Sequence, residues 1–300
     1  MKKEKVEIIE VGPRDGLQNE KQSIDTEIKY SFIKKLLTSG LSKIEITSFV
    51  RPDRIPQLAD SKELCKKLES EDFRKFQCLV PNLKGLNSAM ESGMKEISVF
   101  TAASDEFTKK NINQTIDESM QTIQEIISIA NQNGIRVRGY VSTVIACPYS
   151  GSISPEKVLD VVRKLIGLGC YQISLGDTIG VGTPIEIKRL IQTLTREFPI
   201  EIFSGHYHNT YGMGVANVYA SLELGMRSFD SSSGGLGGCP YATGASGNLA
   251  TEELVYYLEK EGFETGVDLD KLISASETIE KYLGKKLPSN VYQAMISKNR

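Results

Sequence analysis

Short runs rich in β-branched and aromatic residues recur along this chain, and each is followed by a longer stretch whose apolar residues return every three or four positions. The short runs lie at 6–11, 43–47, 76–80, 96–100, 136–143, 172–175, 201–207 and 228–231. The stretches of helical period lie at 26–39, 56–68, 83–92, 116–131, 155–168, 184–198, 215–224 and 249–260. The short runs read as strands and the longer stretches as amphipathic helices. Eight such units within residues 1–262 predict an α/β protein, a (β/α)8 TIM barrel. A doubly wound sheet is the alternative, but the chain contains neither GxGxxG nor GxxxxGK. Two helix starts are explicit: Ser154-Pro155 and Thr183-Pro184 each put a capping hydroxyl before a proline, and Glu186 completes a capping box with Thr183. Residues 263–300 are expected to form a short C-terminal helical extension on the barrel, with a helix over 267–283.

If this is a barrel, its chemistry sits where the strands end. The first run opens into Gly12-Pro13-Arg14-Asp15, and the second carries Glu45 and ends in Thr47-Ser48. Ser174 and Asp177 belong to the sixth, His206 and His208 to the seventh, and a glycine-rich stretch from Gly234 to Asn248 follows the eighth. His206 and His208 are the chain's two histidines. Their i, i+2 spacing turns both rings to one face of a strand, as two ligands of one metal require. The same spacing suits two satisfied polar residues at a strand end, and spacing leaves that choice open. With two imidazoles and no cysteine cluster, the other ligands would be oxygens, from Asp15 and an amide such as Asn248. Such a set suits Mg²⁺ or Mn²⁺ and leaves catalytic zinc open. Cys239, set among glycines, is expected to face a ligand.

Composition narrows the partners. The 300 residues are 40% hydrophobic with a net charge of -2, which offers no strong attraction to nucleic acid or an anionic membrane and leaves a small molecule as the expected partner. Five isolated cysteines without a CxxC pair, and no apolar segment of signal or membrane-spanning length, fit the cytoplasm.

Nearly end to end, the sequence resembles the 3-hydroxy-3-methylglutaryl-CoA lyase family of metal-dependent barrel lyases. The resemblance lies in VGPRDGLQNE (11–20), EITSFV (45–50), FTKKNIN (107–113), YVSTVIACPYSG (140–151), ISLGDTIGVGTP (173–184), HYHNTYG (206–212) and GGLGGCPYATGASGNLATEE (234–253). It implies cleavage of 3-hydroxy-3-methylglutaryl-CoA to acetyl-CoA and acetoacetate, and a homodimer or homotetramer. It also implies metal ligation by Asp15, His206, His208 and Asn248, Arg14 on the carbonyl that becomes an enolate, and Glu45 supporting Arg14 and Asp15. In the same way it implies Ser48 and Asp177 lining the site, Lys21 and Asn111 near the CoA moiety, Cys239 in proton transfer and His206 or Asp15 as the general base. Asn209, where the family often carries Asp, and Ser232-Ser233 before Gly234 depart from the pattern and leave the acyl substituent open. A lyase for a longer-chain analogue, a Claisen-type synthase and a non-catalytic CoA-binding barrel are the rival readings. The synthases need long C-terminal segments, whereas only residues 263–300 follow the barrel here.

Overall fold

In the computed structural model, which describes residues 3–238 and 247–298, eight parallel strands close into a barrel. They are β1 (Glu7–Glu10), β2 (Lys43–Ser48), β3 (Phe76–Leu79), β4 (Glu96–Ala102), β5 (Arg136–Ser142), β8 (Gln172–Asp177), β9 (Phe203–Tyr207) and β10 (Ser228–Ser231). A small antiparallel hairpin, β6 (Ala146–Cys147) and β7 (Gly151–Ser152), stands apart. Closure comes from β1, which pairs with β2 on one side and β10 on the other. Around the barrel run α1 (Thr26–Thr38), α2 (Ser61–Lys67), α3 (Leu83–Glu91), α4 (Asp105–Ile112), α5 (Ile116–Gln132), α6 (Pro155–Leu168), α7 (Pro184–Leu194), α8 (Gly214–Glu223) and α9 (Thr251–Lys260). The chain continues in α10 (Leu269–Leu283) and α11 (Asn290–Lys298).

The barrel expectation holds, and its exceptions have local causes. The helix expected over 56–68 is a 3₁₀ turn, Pro56–Leu58, followed by the shorter α2. Buried Lys29 takes the Gln57 carbonyl and the Asp60 carboxylate, so that carbonyl does not serve an α-helix. Helix α4 lies within a motif read only for its chemistry; Ser104 caps its start, and Asn113, in the left-handed conformation, ends it. The Thr183 start is as expected, with Glu186 accepting from the Thr183 amide and hydroxyl. Helix α10 lies on α1, where Lys35 reaches Thr278 at 2.5 Å and the Asp268 amide donates to the Ser39 carbonyl at 2.7 Å.

Apolar side chains fill the space between strands and helices, as with Ile44, Ile97, Val137 and Ile173. The inner positions of several strands are instead polar. Alternate residues Arg138 and Tyr140 on β5, Gln172 and Ser174 on β8, and Ser204 and His206 on β9 converge inside the barrel. That polar interior is the base on which the site stands.

Candidate active site

The lowest layer of the site is a buried ion pair. Asp230 on β10 accepts from both terminal nitrogens of Arg138 at 3.1 and 2.6 Å, and from the hydroxyls of Ser174 and Ser204 at 2.7 and 3.0 Å. Both side chains are 0% exposed. Burial works against the Asp230 charge, but Arg138 and His206 hold its carboxyl well below the usual carboxylate range. An ionised Asp230 can only accept hydrogen bonds, so His206 Nδ1, 3.1 Å away, carries the proton that bonds to it. The lone pair of His206 is thereby fixed on Nε2, which faces Asp15 Oδ2 at 3.9 Å.

Above this layer the turn after β1 brings up Arg14 and Asp15. Gly12–Gly16 makes one π-helical turn, in which the amides of Asp15 and Gly16 both reach the Val11 carbonyl. Arg14 donates through Nε to Glu45 and through Nη1 to Asp15 at 2.6 Å, and its guanidinium lies 5.6 Å from the Tyr140 ring centre. Glu45, fully buried, also accepts from Ser98 and Tyr140. Burial opposes the Arg14 charge, yet Glu45 and Asp15 keep its pKa above the ordinary arginine value, so it is a permanent cation. Asp15 is bonded by Arg14, Gln18 at 2.7 Å and Asn248 at 2.8 Å. Burial would raise its pKa, but Arg14 and the two histidines bring it below the ordinary value.

Residues on either side of positions 239–246 complete the site. The Asn209 amide donates to the Gly247 carbonyl and the Leu249 amide to the Tyr207 carbonyl, which sets Asn248 beside His208. Gly237, at φ 115°, passes so close that a Cβ there would lie 2.8 Å from Asn248 Nδ2. Metal-binding atoms of Asp15, His206 and His208 all lie within 4.8 Å of one another. Two further buried atoms here, His208 Nδ1 and Asn248 Oδ1, have no hydrogen-bond partner. Unpaired lone pairs converging on a carboxylate and an imidazole are what a cation site supplies, so the donor set fits a divalent ion. Burial, with help from His206, lowers the His208 pKa to about 4, which leaves that ring neutral and able to ligate at neutral pH.

Arg14, Asp15, His206 and His208 form the floor of a cavity of about 840 Å³ that opens at the C-terminal end of the barrel. Asn111 on α4 stands in its wall. Lys21 is exposed beyond the cavity lining. Ser48 and Asp177 are placed differently from the expectation. Ser48 Oγ donates to the Leu79 carbonyl at 3.2 Å. Asp177 is the last residue of β8 and lies out of phase with inward-facing Ser174, so its side chain turns to its own loop and accepts from the Gly182 amide at 2.9 Å. Burial there pushes its carboxyl up to about 6. Cys239 lies outside the described residues.

Sequence reasoning passed over Arg138, Tyr140, Asp230 and Gln18. The available signal was a charge inside a predicted strand, at positions 138 and 230. It also passed over Glu10, fully buried, which accepts from the Gly12 amide at 2.7 Å, the Ser233 amide at 2.8 Å and the Thr251 hydroxyl at 2.6 Å. Beside it, buried Glu252 takes the Gly234 amide and the Ser276 hydroxyl. At the end of β5, Thr143 holds φ 58° with its amide bonded to Thr178 Oγ1 at 2.9 Å.

Fold and site together define a (β/α)8 enzyme whose reacting groups, a cation-ready cluster beside an arginine, meet at the mouth of the barrel. Residues 5–279 match the HMGL-like family model, and the chain belongs to that family. It is 50% identical over 289 residues to the mitochondrial hydroxymethylglutaryl-CoA lyase of Bos taurus, covering 96% of this chain and 89% of that protein. The hydroxymethylglutaryl-CoA lyase structure from Pseudomonas aeruginosa superposes with a TM-score of 0.96 at 46% identity, covering 99% of both chains. An Acinetobacter baumannii HMG-CoA lyase, solved in complex with coenzyme A and 3-methylmalate, gives a TM-score of 0.91 at 38% identity, over 97% of this chain and 95% of that one.

Proposed function

We propose that this chain is a hydroxymethylglutaryl-CoA lyase, cleaving 3-hydroxy-3-methylglutaryl-CoA to acetyl-CoA and acetoacetate. The observation that carries the reading is the meeting of Arg14, Asp15, His206 and His208 on one cavity floor, in a chain about half identical to such lyases over nearly its whole length.

Asp15, His206, His208 and Asn248 would hold Mg²⁺ or Mn²⁺. The bound ion would supply Lewis acidity toward the oxygens of a 3-hydroxy acid. The reaction removes the 3-hydroxyl proton and breaks the C2–C3 bond. The electron pair passes into a thioester enolate, and a proton returned to C2 completes acetyl-CoA. His206 is preferred to Asp15 as the base, although its one lone pair, on Nε2, would also ligate the ion, so His206 can take the proton only when released from it. Asp15 already accepts three hydrogen bonds, which depress its basicity, while Asp230 stabilises the proton-bearing imidazole. Arg14 spends one N–H on Asp15 and others on Glu45, and its remaining donors serve the enolate oxygen. Cys239 remains the proposed proton donor to C2. Cytoplasmic residence is supported by Cys65, Cys78, Cys147 and Cys170, all free and buried. A homodimer or homotetramer remains the proposed assembly.

The test is acetoacetate release from 3-hydroxy-3-methylglutaryl-CoA with Mg²⁺ or Mn²⁺, then with chelator. Product that depends on the metal is expected, and its absence would overturn the reading. Arg14→Met should lower turnover about 10²- to 10³-fold, the effect of losing one oxyanion donor, while Mn²⁺ still binds. Near-normal turnover would remove Arg14 from the enolate.

A further inference from the structure

Residues 284–289, between α10 and α11, do not line the cavity, yet they grip the chain that leads to it. This segment is itself fixed: the Leu287 amide donates to Glu280 at 3.0 Å, the Leu287 carbonyl accepts from Gln293 at 3.2 Å, and Ser289 Oγ donates to Glu253 at 2.6 Å. Leu287 and Ser289 are buried. Their other contacts are with the residues just after β10. The Ser289 amide donates to the Gly234 carbonyl at 3.1 Å, and a Cβ on Gly234 would overlap Leu287 Cδ1. A Cβ on Gly235 would lie 3.0 Å from Pro288 Cγ. Gly234 and Gly235 hold φ 67° and 70°, where glycine alone is unstrained. Leu236 follows directly and packs on the turn that carries Asp15: a Cβ on Gly16 would lie 2.8 Å from Leu236 Cβ.

The Leu236 carbonyl carries this contact to the cation site. Asn248 Nδ2 donates to it at 3.2 Å and to Asp15 Oδ2 at 2.8 Å. An NH₂ group has two hydrogens, so both are engaged and the amide oxygen is left over, buried and without a hydrogen-bond partner. A cation on Asp15 would compete with Asn248 for the carboxylate oxygen. The Leu236 carbonyl is then the acceptor that keeps the NH₂ end turned away from the ion. We infer that residues 284–289 are a positioning element of the metal site, with Leu287 at its centre: they set Gly234 and Gly235, these set the Leu236 carbonyl, and that carbonyl turns the Asn248 oxygen toward the cation. The inference rests on the reading of Asn248 as a ligand and adds to it a role for chain that lies beyond the barrel. Removing a group that orients a ligand weakens a metal about 10- to 100-fold, and Leu287 acts one step further back, so the lower end applies.

The experiment titrates the full chain with Mn²⁺, followed by electron paramagnetic resonance, for the wild type, Leu287→Ala, Asn248→Ala and the double variant. Leu287→Ala is expected to weaken Mn²⁺ about tenfold in the wild-type background and less than about twofold in the Asn248→Ala background, because both changes act through one ligand. In the metal-free protein, hydrogen exchange should quicken at the Gly235 and Leu236 amides while β4 and β5 keep their protection. Leu287→Met conserves volume and should restore wild-type affinity. Leu287→Val removes less of the side chain, keeps the test open if the alanine variant does not fold, and should give an intermediate loss. Wild-type Mn²⁺ affinity in Leu287→Ala, or an equal loss with and without Asn248, would overturn the inference. A wild type that binds no Mn²⁺ would instead fail the metal reading on which the inference rests.

Discussion

Replacing Asp230 by Asn exchanges one carboxylate oxygen for an NH₂ group and tests the lowest layer of the site. The native carboxylate takes five hydrogen bonds from four residues: two from Arg138 and one each from Ser174, Ser204 and His206. An amide has one acceptor oxygen and one donor nitrogen, while Arg138 Nη1 and His206 share Asp230 Oδ2 and Arg138 Nη2 takes Oδ1, so either orientation sets the NH₂ against a donor. If the oxygen keeps the shorter bond to Arg138 Nη2, the NH₂ meets His206 Nδ1 and forces the ring proton onto Nε2, removing the lone pair that faces Asp15. Arg138, with no solvent exposure, is left with the neutral Gln172 oxygen at 2.7 Å in place of a counter-charge. Breaking one side of a buried pair costs about 3–5 kcal/mol. Losing the group that orients a ligating histidine weakens a metal about 10- to 100-fold. Urea denaturation without metal reads the first effect, and Mn²⁺ titration followed by electron paramagnetic resonance reads the second. A second variant, Arg138→Met with Asp230→Leu, should recover most of the stability, because an apolar pair replaces a desolvated ion pair, but should bind Mn²⁺ no better. Asp230→Asn with less than about 1 kcal/mol of lost stability and wild-type Mn²⁺ affinity would refute the reasoning on both counts.

Glu252→Gln tests the neighbouring buried acid. Burial raises the native Glu252 pKa to about 8 from 4.5, so between those values the folded protein holds a proton that the unfolded chain has released. Stability should therefore fall as pH rises through that window and level off above it, by a few kcal/mol in all at about 1.4 kcal/mol per unit. The Gln variant should show a shallower fall between pH 5 and pH 8 in urea denaturation; an equal loss at both pH values would count against protonated Glu252. Glu10, raised to about 7 by burial, contributes in the same direction over its narrower window. Thr143→Gly should raise stability by about 1 kcal/mol, because a β-branched residue at φ 58° is strained and glycine is not. A lowered melting temperature would show that the Thr143 side chain contributes more than the strain it bears.

The barrel was legible because its signal is local: strand and helix periods repeat in every unit, and Ser154-Pro155 and the Thr183–Glu186 capping box mark where two helices start. The upper part of the site was legible because Arg14, Asp15, His206 and His208 lie at or just after strand ends, and the barrel carries strand ends to one rim. Arg138 and Asp230 were not legible as a pair, since 92 residues separate them and only the closure of the sheet makes them neighbours. Ser48 and Asp177 show the opposite error. Both are at strand ends, yet one step of strand phase decides whether a side chain enters the cavity or holds its own loop. Neither the Lys29 contact that ends the helix expected at 56–68 nor the turn around Glu10 has a periodic signature.

Loops on a barrel of this kind are ordinarily independent units, free to be lengthened or exchanged while the strands stay as they are. The Glu10 carboxylate removes that independence for two of them. It bonds at once to Gly12, where the turn bearing Arg14 and Asp15 begins, and to Ser233 and Thr251, on either side of the glycine-rich segment. Transplanting residues 232–251 from a relative therefore also tests position 10 and the 12–16 turn, because the three pieces share one acceptor. A chimera that moves them together keeps that acceptor and its donors matched, whereas one that divides them inherits a buried group without its partners.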